Sequence, residues 1–332
     1  MRKYQIVDYT KAYYEKLIHY FKRINPEFSD TYIRFIADNG LTEDDEPSIL
    51  VVDENDEIIG SQMYYYTKAE LRGEVVPVKW GHDTFLEKDW RKYAGLDLML
   101  AANKRKNGFG IGISDVNRKI QKKLKTVFYP LGGYQFFNFF IFSTMFQRSL
   151  HKPPHLDFKK NSSVKVKRNL FRLVNNVNEL NIPNNGYWNH GDTELDFVRD
   201  ANFMDFRFFH NPIHDYNVYR LETSGTSDVC FFVVRIINYN GVRTLFIVDY
   251  RYQLTQKEQL HLIIKAAKKL AFYNHCGMTY VKTSDQNLAE IQRKSLFIRK
   301  RPSDFIVNKK FNLDLSKNII VTSADSDEDY HK

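Results

Sequence analysis

Three short runs hold the residues best suited to chemistry. Trp80-Gly-His82-Asp83-Thr84 sets two titratable side chains in succession. An imidazole such as His82 has an ordinary pKa close to neutrality and can take up and release a proton at physiological pH. Asp83 and Glu87 are further candidate bases, and strand alternation sends His82 and Asp83 to opposite faces. Arg91-Lys-Tyr-Ala-Gly-Leu96 is a basic turn ahead of a helical pattern. Backbone N–H groups at a helix start, with Arg91 and Lys92 beside them, suit a phosphate group. Tyr129-Pro-Leu-Gly-Gly-Tyr134 offers a phenol, Tyr129, which reads either as a proton donor or as a packed aromatic. Further on, Asp205-Phe-Arg207-Phe-Phe-His210-Asn-Pro212 leads into Tyr216. The planar fork of Arg207 suits a phosphate or a carboxylate, or an ion pair with Asp205.

Other chemistries have no footing. The ten histidines are scattered without HExxH or HxH spacing, and Cys230 and Cys276 do not form a CxxC, so no metal site is expected. Two cysteines make no disulfide framework and point to a reducing, cytoplasmic location. No nucleophilic triad and no P-loop are visible. The basic run Lys159–Arg168 lacks the interleaved aromatics of a nucleic-acid platform, so no nucleic-acid partner is expected.

The elements that must position these residues are legible from periodicity. Helices are expected after Thr10 as far as Pro26, over Asp30–Asp38, Leu96–Lys106, from Asp115 to about Phe128, Asp192–Met204, Thr255–His275 and Asn287–Ile298. Strands are expected over Ser48–Asp53, Glu57–Tyr66, Val75–Phe85, Phe109–Ser114, Tyr134–Phe146, Lys167–Val174, Tyr216–Glu222, Val229–Asn238, Val242–Tyr252, Met278–Thr283 and Ser303–Lys309. Tyr134–Phe146 is the most apolar stretch and is too short to span a bilayer, which needs about 20 residues. Residues 1–8 lack the apolar run of a signal peptide.

A chain of 332 residues with 43% hydrophobic and 15% aromatic content can build two ordinary domains. A net charge of +9 favours polyanionic ligands. The order of hairpin strands, helix, strand, helix and strand occurs twice, which implies a duplicated domain. Residues 1–146 form the first copy, 147–186 a connector and 187–315 the second. Residues 316–332 form an acidic tail, ending Asp-Ser-Asp-Glu-Asp-Tyr-His-Lys from Asp325, that is expected to be disordered.

The run from Val75 to Tyr134 resembles the GNAT superfamily of acyl-CoA-dependent N-acyltransferases, in which a strand leads into an Arg/Gln-x-x-Gly-x-Gly/Ala turn that holds the coenzyme A pyrophosphate. Here Ala94 and Leu96 stand at the usual glycine positions, with Gly95 between them. The resemblance implies an α/β (α+β) fold of two tandem GNAT-like domains, each a mixed, mostly antiparallel twisted sheet flanked by helices. It implies acetyl-CoA or another short acyl-CoA as co-substrate, without a metal, held by Leu86, Arg91, Lys92, Tyr93, Ala94, Gly95 and Leu96. It implies Tyr129 as the acid for the leaving thiolate, and His82 or Asp83 as the base. The run from Arg207 to Tyr216 is similar to a segment facing the acceptor in tandem GNAT proteins of bacterial surface-polysaccharide clusters. That likeness implies substrate roles for Trp80, Arg207, His210 and Tyr216, with an amino sugar on a nucleotide as acceptor. No glycine turn precedes the Thr255 helix, so the second copy is not expected to bind coenzyme A. Two alternatives share the resemblance: a tRNA-dependent aminoacyl transferase of peptidoglycan cross-bridges, and an inactive GNAT pair serving as a binding module.

Overall fold

The structure, a computed structural model, describes residues 3–37, 46–111, 115–142, 156–183, 186, 193–222, 230–293, 298–299, 303–307 and 311–325. In chain order the elements are β1 (Tyr4–Asp8), α1 (Tyr14–Ile24), α2 (Asp30–Ala37), β2 (Ile49–Asp53), β3 (Ile58–Leu71), β4 (Glu74–Leu86), α3 (Arg91–Lys104), β5 (Gly108–Ile111), α4 (Asp115–Lys123) and β6 (Val127–Phe137). They continue with β7 (Ser163–Val166), β8 (Asn169–Val174), β9 (Thr193–Phe197), α5 (Ala201–Met204), β10 (Asn217–Glu222), β11 (Phe231–Tyr239) and β12 (Val242–Arg251). The last are α6 (Lys257–Tyr273), β13 (Met278–Thr283), α7 (Gln286–Arg293), β14 (Ile298–Arg299), β15 (Ser303–Val307) and β16 (Asn318–Ile319). The chain packs as two compact units. The first comprises residues 1–68, 76–129 and 304–312, and the second residues 69–75, 130–303 and 313–332.

In the first unit β1, β2 and β3 run antiparallel, and β4 lies parallel to β5 with Lys79 opposite Gly108 and Gly81 opposite Gly110. A parallel pair needs a crossover, which α3 supplies. Ala94 and Leu98 of α3 pack on Ile49, Val51, Ile59 and Tyr64. The strand that flanks β5 comes from far along the chain: β15 runs antiparallel to it, Phe305 opposite Ile111. Arg118 of α4 pairs with Asp304 at the start of β15.

The second unit repeats the parallel pair. Strand β12 lies parallel to β13, from Thr244 opposite Met278 to Ile247 opposite Val281, with α6 as crossover. Leu260, Ile263, Ile264, Ala267, Leu270 and Ala271 of α6 are buried on Phe232, Val234, Leu245 and Ile247, the face expected from periodicity. Strands β11, β10, β8 and β7 extend the sheet antiparallel. Here too the strand flanking the parallel pair is distant in sequence: β6 runs antiparallel to β13, Met278 opposite Phe137 and Thr283 opposite Gly132.

Several expectations need correction. Tyr129 sits in strand β6, not at a helix end, because α4 stops at Lys123 and Lys125 takes a left-handed turn at φ 58°. The apolar strand begins at Val127 rather than Tyr134 and ends at Phe137, while residues 143–146 of the expected strand lie outside the described residues. Thr193–Phe197 is a fully buried strand and not a helix, with Ala201–Met204 helical after it and a π-helical stretch over Asp205–Phe209. The connector holds a hairpin, β7 and β8, instead of a single strand. Strand β1 appears in a segment with no element assigned from the sequence. Residues 316–325 are not a loose tail: β16 pairs with β9, and Ser323, Ala324 and Asp325 are buried. Residues 326–332 lie outside the described residues.

That burial has an electrostatic reason. Arg199 is wholly enclosed and bonds Asp249 at 2.6 and 3.2 Å and Asp325 at 2.5 Å. Arg251, equally enclosed, bonds Asp249 at 2.8 Å and Asp196 at 2.9 Å. Thr322 donates its hydroxyl to Asp249 at 2.9 Å and its N–H to Asp325 at 2.7 Å. Opposed charges thus cross-link β9, β12 and the C-terminal segment. Asp249 is fully buried, yet the guanidinium groups of Arg199 and Arg251 hold its carboxyl below the usual carboxylate range.

Removing one member leaves a buried charge short of its partner. Asp325→Ala is expected to cost about 3–5 kcal/mol of unfolding free energy, read by urea denaturation. Because the folded pKa of Asp249 is depressed, its contribution is complete above the unfolded value of about 3.9 and is lost as the pH falls through the folded value. Urea midpoints measured across acid pH should therefore drop below about pH 4, and less steeply in Asp249→Asn.

Candidate active site

Strand β4 carries the candidate site, and α1 and α2 fix its end. Tyr20 donates to the carbonyl of Phe85 at 3.1 Å, and Arg23 pairs with Glu87 at 2.6 Å while donating to the carbonyl of Ile58 at 2.7 Å. Phe21 and Phe28 pack edge-on and tilted against Phe85. Glu87 is thereby committed to an arginine, which suits it poorly to the base role suggested by its position.

Asp83 has φ 43°, in the left-handed region that few non-glycine residues occupy, aspartate more readily than most. This turn of the backbone overrides strand alternation. His82 and Asp83, expected on opposite faces, meet: Nδ1 of His82 is 3.0 Å from Oδ2 of Asp83. Both side chains are buried. Tyr32 of α2 donates to the same Oδ2 at 2.6 Å, and Ser61 donates to the Asp83 carbonyl at 3.2 Å. With Asp83 ionised the carboxylate only accepts, and the contact then has the imidazole proton on Nδ1 and the lone pair on Nε2.

Gln62 braces the same stretch. Its Nε2 donates to the His82 carbonyl at 3.2 Å, and its Oε1 accepts from the Thr84 hydroxyl at 2.6 Å. A Cβ on Gly81 would lie 2.8 Å from that Nε2, so glycine is what lets the amide cross over the strand. Tyr32, Ser61 and Gln62 are functional candidates absent from the sequence reading. Each is polar within an apolar element, the one signal that could have singled them out.

The basic turn is helical. A single turn of 3₁₀ helix, Lys88–Trp90, runs into α3, and the Arg91 N–H donates to the Lys88 carbonyl. The Trp90 N–H donates to the Glu87 carbonyl at 2.9 Å, so the helical start lies upstream of the expected Arg91–Leu96 cradle. Arg91 donates Nε to the Leu86 carbonyl at 2.9 Å. Lys92 lies over the Tyr93 ring at 4.8 Å, and the Tyr93 carbonyl accepts from Tyr4 at 3.0 Å. Ala94 is buried in the core while Leu96 points out to solvent, so neither crowds the helix start. Gly95 faces Leu86, where an added Cβ would make an ordinary 3.7 Å contact.

The remaining predicted residues divide between the two units. Trp80 is fully buried, 5.1 Å from Phe109 in the core. Tyr129 is buried and stacks on Phe305 at 5.3 Å, and Phe305 stands opposite Ile111 at the carboxyl end of β5. In the second unit Arg207 is enclosed and donates Nε to the Ala324 carbonyl at 3.1 Å. Asp205 pairs at 2.8 Å with the exposed His210. Tyr216 packs on Phe208 at 5.3 Å. Cys230 and Cys276 are buried thiols, and burial pushes Cys276 up to about 12. No cluster of metal-ligating side chains occurs among the described residues, and no helix there is long and apolar enough to cross a membrane.

No family model matches the chain, and no curated protein matches it in sequence. Solved structures match it in shape. One from Enterococcus faecalis, a conserved protein of unknown function described as a probable N-acyltransferase, has a TM-score of 0.58 at 10% identity over 92% of this chain and 72% of that one. A GCN5-related N-acetyltransferase from Anabaena variabilis has a TM-score of 0.57 at 9% identity over the same shares. The N-myristoyltransferase of Saccharomyces cerevisiae with bound myristoyl-CoA has a TM-score of 0.55 at 11% identity, over 92% of this chain and 78% of that one. At identities this low the likeness shows the fold alone: a mixed α/β sheet flanked by helices, shared with these structures.

Tyr32→Phe removes a hydrogen bond to a buried carboxylate. It should lower unfolding stability by about 1.5–3 kcal/mol, read by urea denaturation with an unchanged slope.

Proposed function

We propose that the protein is an acyl-CoA-dependent N-acyltransferase moving an acetyl or other short acyl group from its thioester to an amine. The observation that carries this reading is the buried Tyr32–Asp83–His82 chain, set where β4 leaves its pairing with β5. In this reading Nε2 of His82 takes the proton of the attacking amine, while Asp83 and Tyr32 hold the ring and stabilise the imidazolium that forms. The register of the parallel pair stops at Gly81 opposite Gly110, so the β4 backbone beyond it is placed to meet the thioester carbonyl. The departing thiolate takes a proton from Tyr129, which its stack on Phe305 sets at the carboxyl end of β5.

The start of α3 suits the diphosphate of coenzyme A. The first turn from Arg91 carries no acidic residue, and Lys88, Arg91 and Lys92 outnumber Asp89 of the 3₁₀ turn before it and add positive charge to the helix dipole. We assign the donor to the first unit because the matching position in the second is filled. There the Tyr250 hydroxyl donates to Thr283 at 3.0 Å beside the parallel pair, and Gln259 Oε1 accepts the Gln253 N–H ahead of α6. The parallel pair with its helical crossover in both units supports a tandem GNAT arrangement. For the acceptor, the net charge of +9 favours a phosphorylated amine, such as a nucleotide-linked amino sugar of surface-polysaccharide synthesis in the cytoplasm.

Thiol release from acetyl-CoA across a panel of amines, nucleotide-linked amino sugars included, tests this. Wild-type protein should release thiol only with an amine present. His82→Ala should lower kcat by about 100-fold or more with little change in KM, and Tyr129→Phe by about 10-fold or more. Equal rates in wild type and His82→Ala would remove the assigned base, and thiol release independent of amine would remove transfer itself.

A further inference from the structure

The second unit presents a groove on the face of its sheet opposite α6, and the acyl-transfer reading makes no use of it. Phe171, Tyr219 and Leu221 pack towards α6, so alternation turns Leu170, Arg172, Val174, Arg220 and Glu222 to the other face. With Arg168 and Glu179 they line a groove of about 810 Å³. That size is ordinary for a small-molecule cleft, about 300–1,000 Å³.

The charges in this groove do not balance. Arg172 pairs with Glu222 at 2.6 Å. Among the described residues Arg220 donates to the backbone carbonyl of Glu179, at 3.0 Å, a neutral acceptor. The Glu179 carboxylate is taken by Asn176 at 2.6 Å and by the Asn175 N–H at 3.3 Å. Arg168, exposed in the β7–β8 hairpin just after the left-handed Lys167, pairs with no acid among the described residues. Arg172 and Arg220 are also direct neighbours across the β8–β10 register, where like charges repel. Three guanidinium groups and two carboxylates thus line one cleft, and neither Arg168 nor Arg220 is ion-paired among the described residues. Leu170 and Val174, on either side of Arg172 along β8, supply an apolar wall beside them.

We infer that this groove binds a diphosphate-bearing ligand of nucleotide size, its phosphates on Arg168 and Arg220 and its ring against Leu170 and Val174. Guanidinium forks match phosphate oxygens in pairs, and a dianion there relieves the repulsion between Arg172 and Arg220. The apolar wall distinguishes such a ligand from a bare anion. The inference is independent of acyl transfer in the first unit.

Hydrogen–deuterium exchange of the full chain with ADP or inorganic pyrophosphate, paired with calorimetry, tests the site. ADP should slow exchange in peptides covering β8 and β10, and pyrophosphate should protect the same peptides while binding about tenfold more weakly. Arg168→Gln combined with Arg220→Gln should weaken ADP about 10- to 100-fold and abolish that protection. Arg168→Gln alone, at an exposed turn, should weaken ADP about fivefold and serves if the double variant melts early. Protection confined to the start of α3, or undiminished in a folded variant, would overturn the groove site and leave the donor assignment standing. Pyrophosphate binding as tightly as ADP would overturn the nucleotide-sized ligand.

Discussion

A charge taken out of water must meet its opposite, and in the second unit that rule ties together stretches far apart in sequence. Arg199 and Arg251 are enclosed, so Asp196, Asp249 and Asp325 must come to them. Asp325 brings the C-terminal segment inward, with Thr322 donating into the same network. That segment in turn gives Arg207 an acceptor, the Ala324 carbonyl. A buried network of this kind is weak as a source of net stability and strong as a specifier, because every misplaced partner leaves a bare charge.

In the first unit the corresponding constraint is one backbone angle. A β-strand separates consecutive side chains, and only the left-handed Asp83 lets its carboxylate reach the imidazole before it. The strain this stores is held by neighbours on two elements: Tyr32 from α2, and Ser61 and Gln62 from β3. Around it, α1 pins Phe85 and Glu87, and α3 begins as soon as the strand is released. An oriented imidazole beside a basic helix start is an arrangement that acyl transfer from a phosphorylated thioester can use.

Much of this was legible in the residues. The apolar stripe of α6 and the β-branched runs of β2, β11 and β12 follow periodicity, and the structure keeps them. His82 and Asp83 were identifiable by type, but their meeting was not, since no pattern of types announces a left-handed aspartate within a strand. The boundary at Arg91 was misread because Ala94 and Gly95 suggest a loop, while the 3₁₀ turn of Lys88–Trp90 nucleates the helix earlier. Tyr129 was expected at a helix end because local sequence cannot show that β6 pairs with β13 and β15 with β5, contacts separated by more than a hundred residues. The acidic composition after residue 316 argued for disorder. It could not reveal that Arg199 lay waiting for Asp325.

The most direct test of the account is isothermal titration of the intact chain with acetyl-CoA, set beside the Lys88→Ala, Arg91→Ala double variant. Binding at one site per chain, weakened about tenfold or more by the double variant, is the predicted result. No binding at millimolar acetyl-CoA, or binding unchanged by the variant, would contradict it.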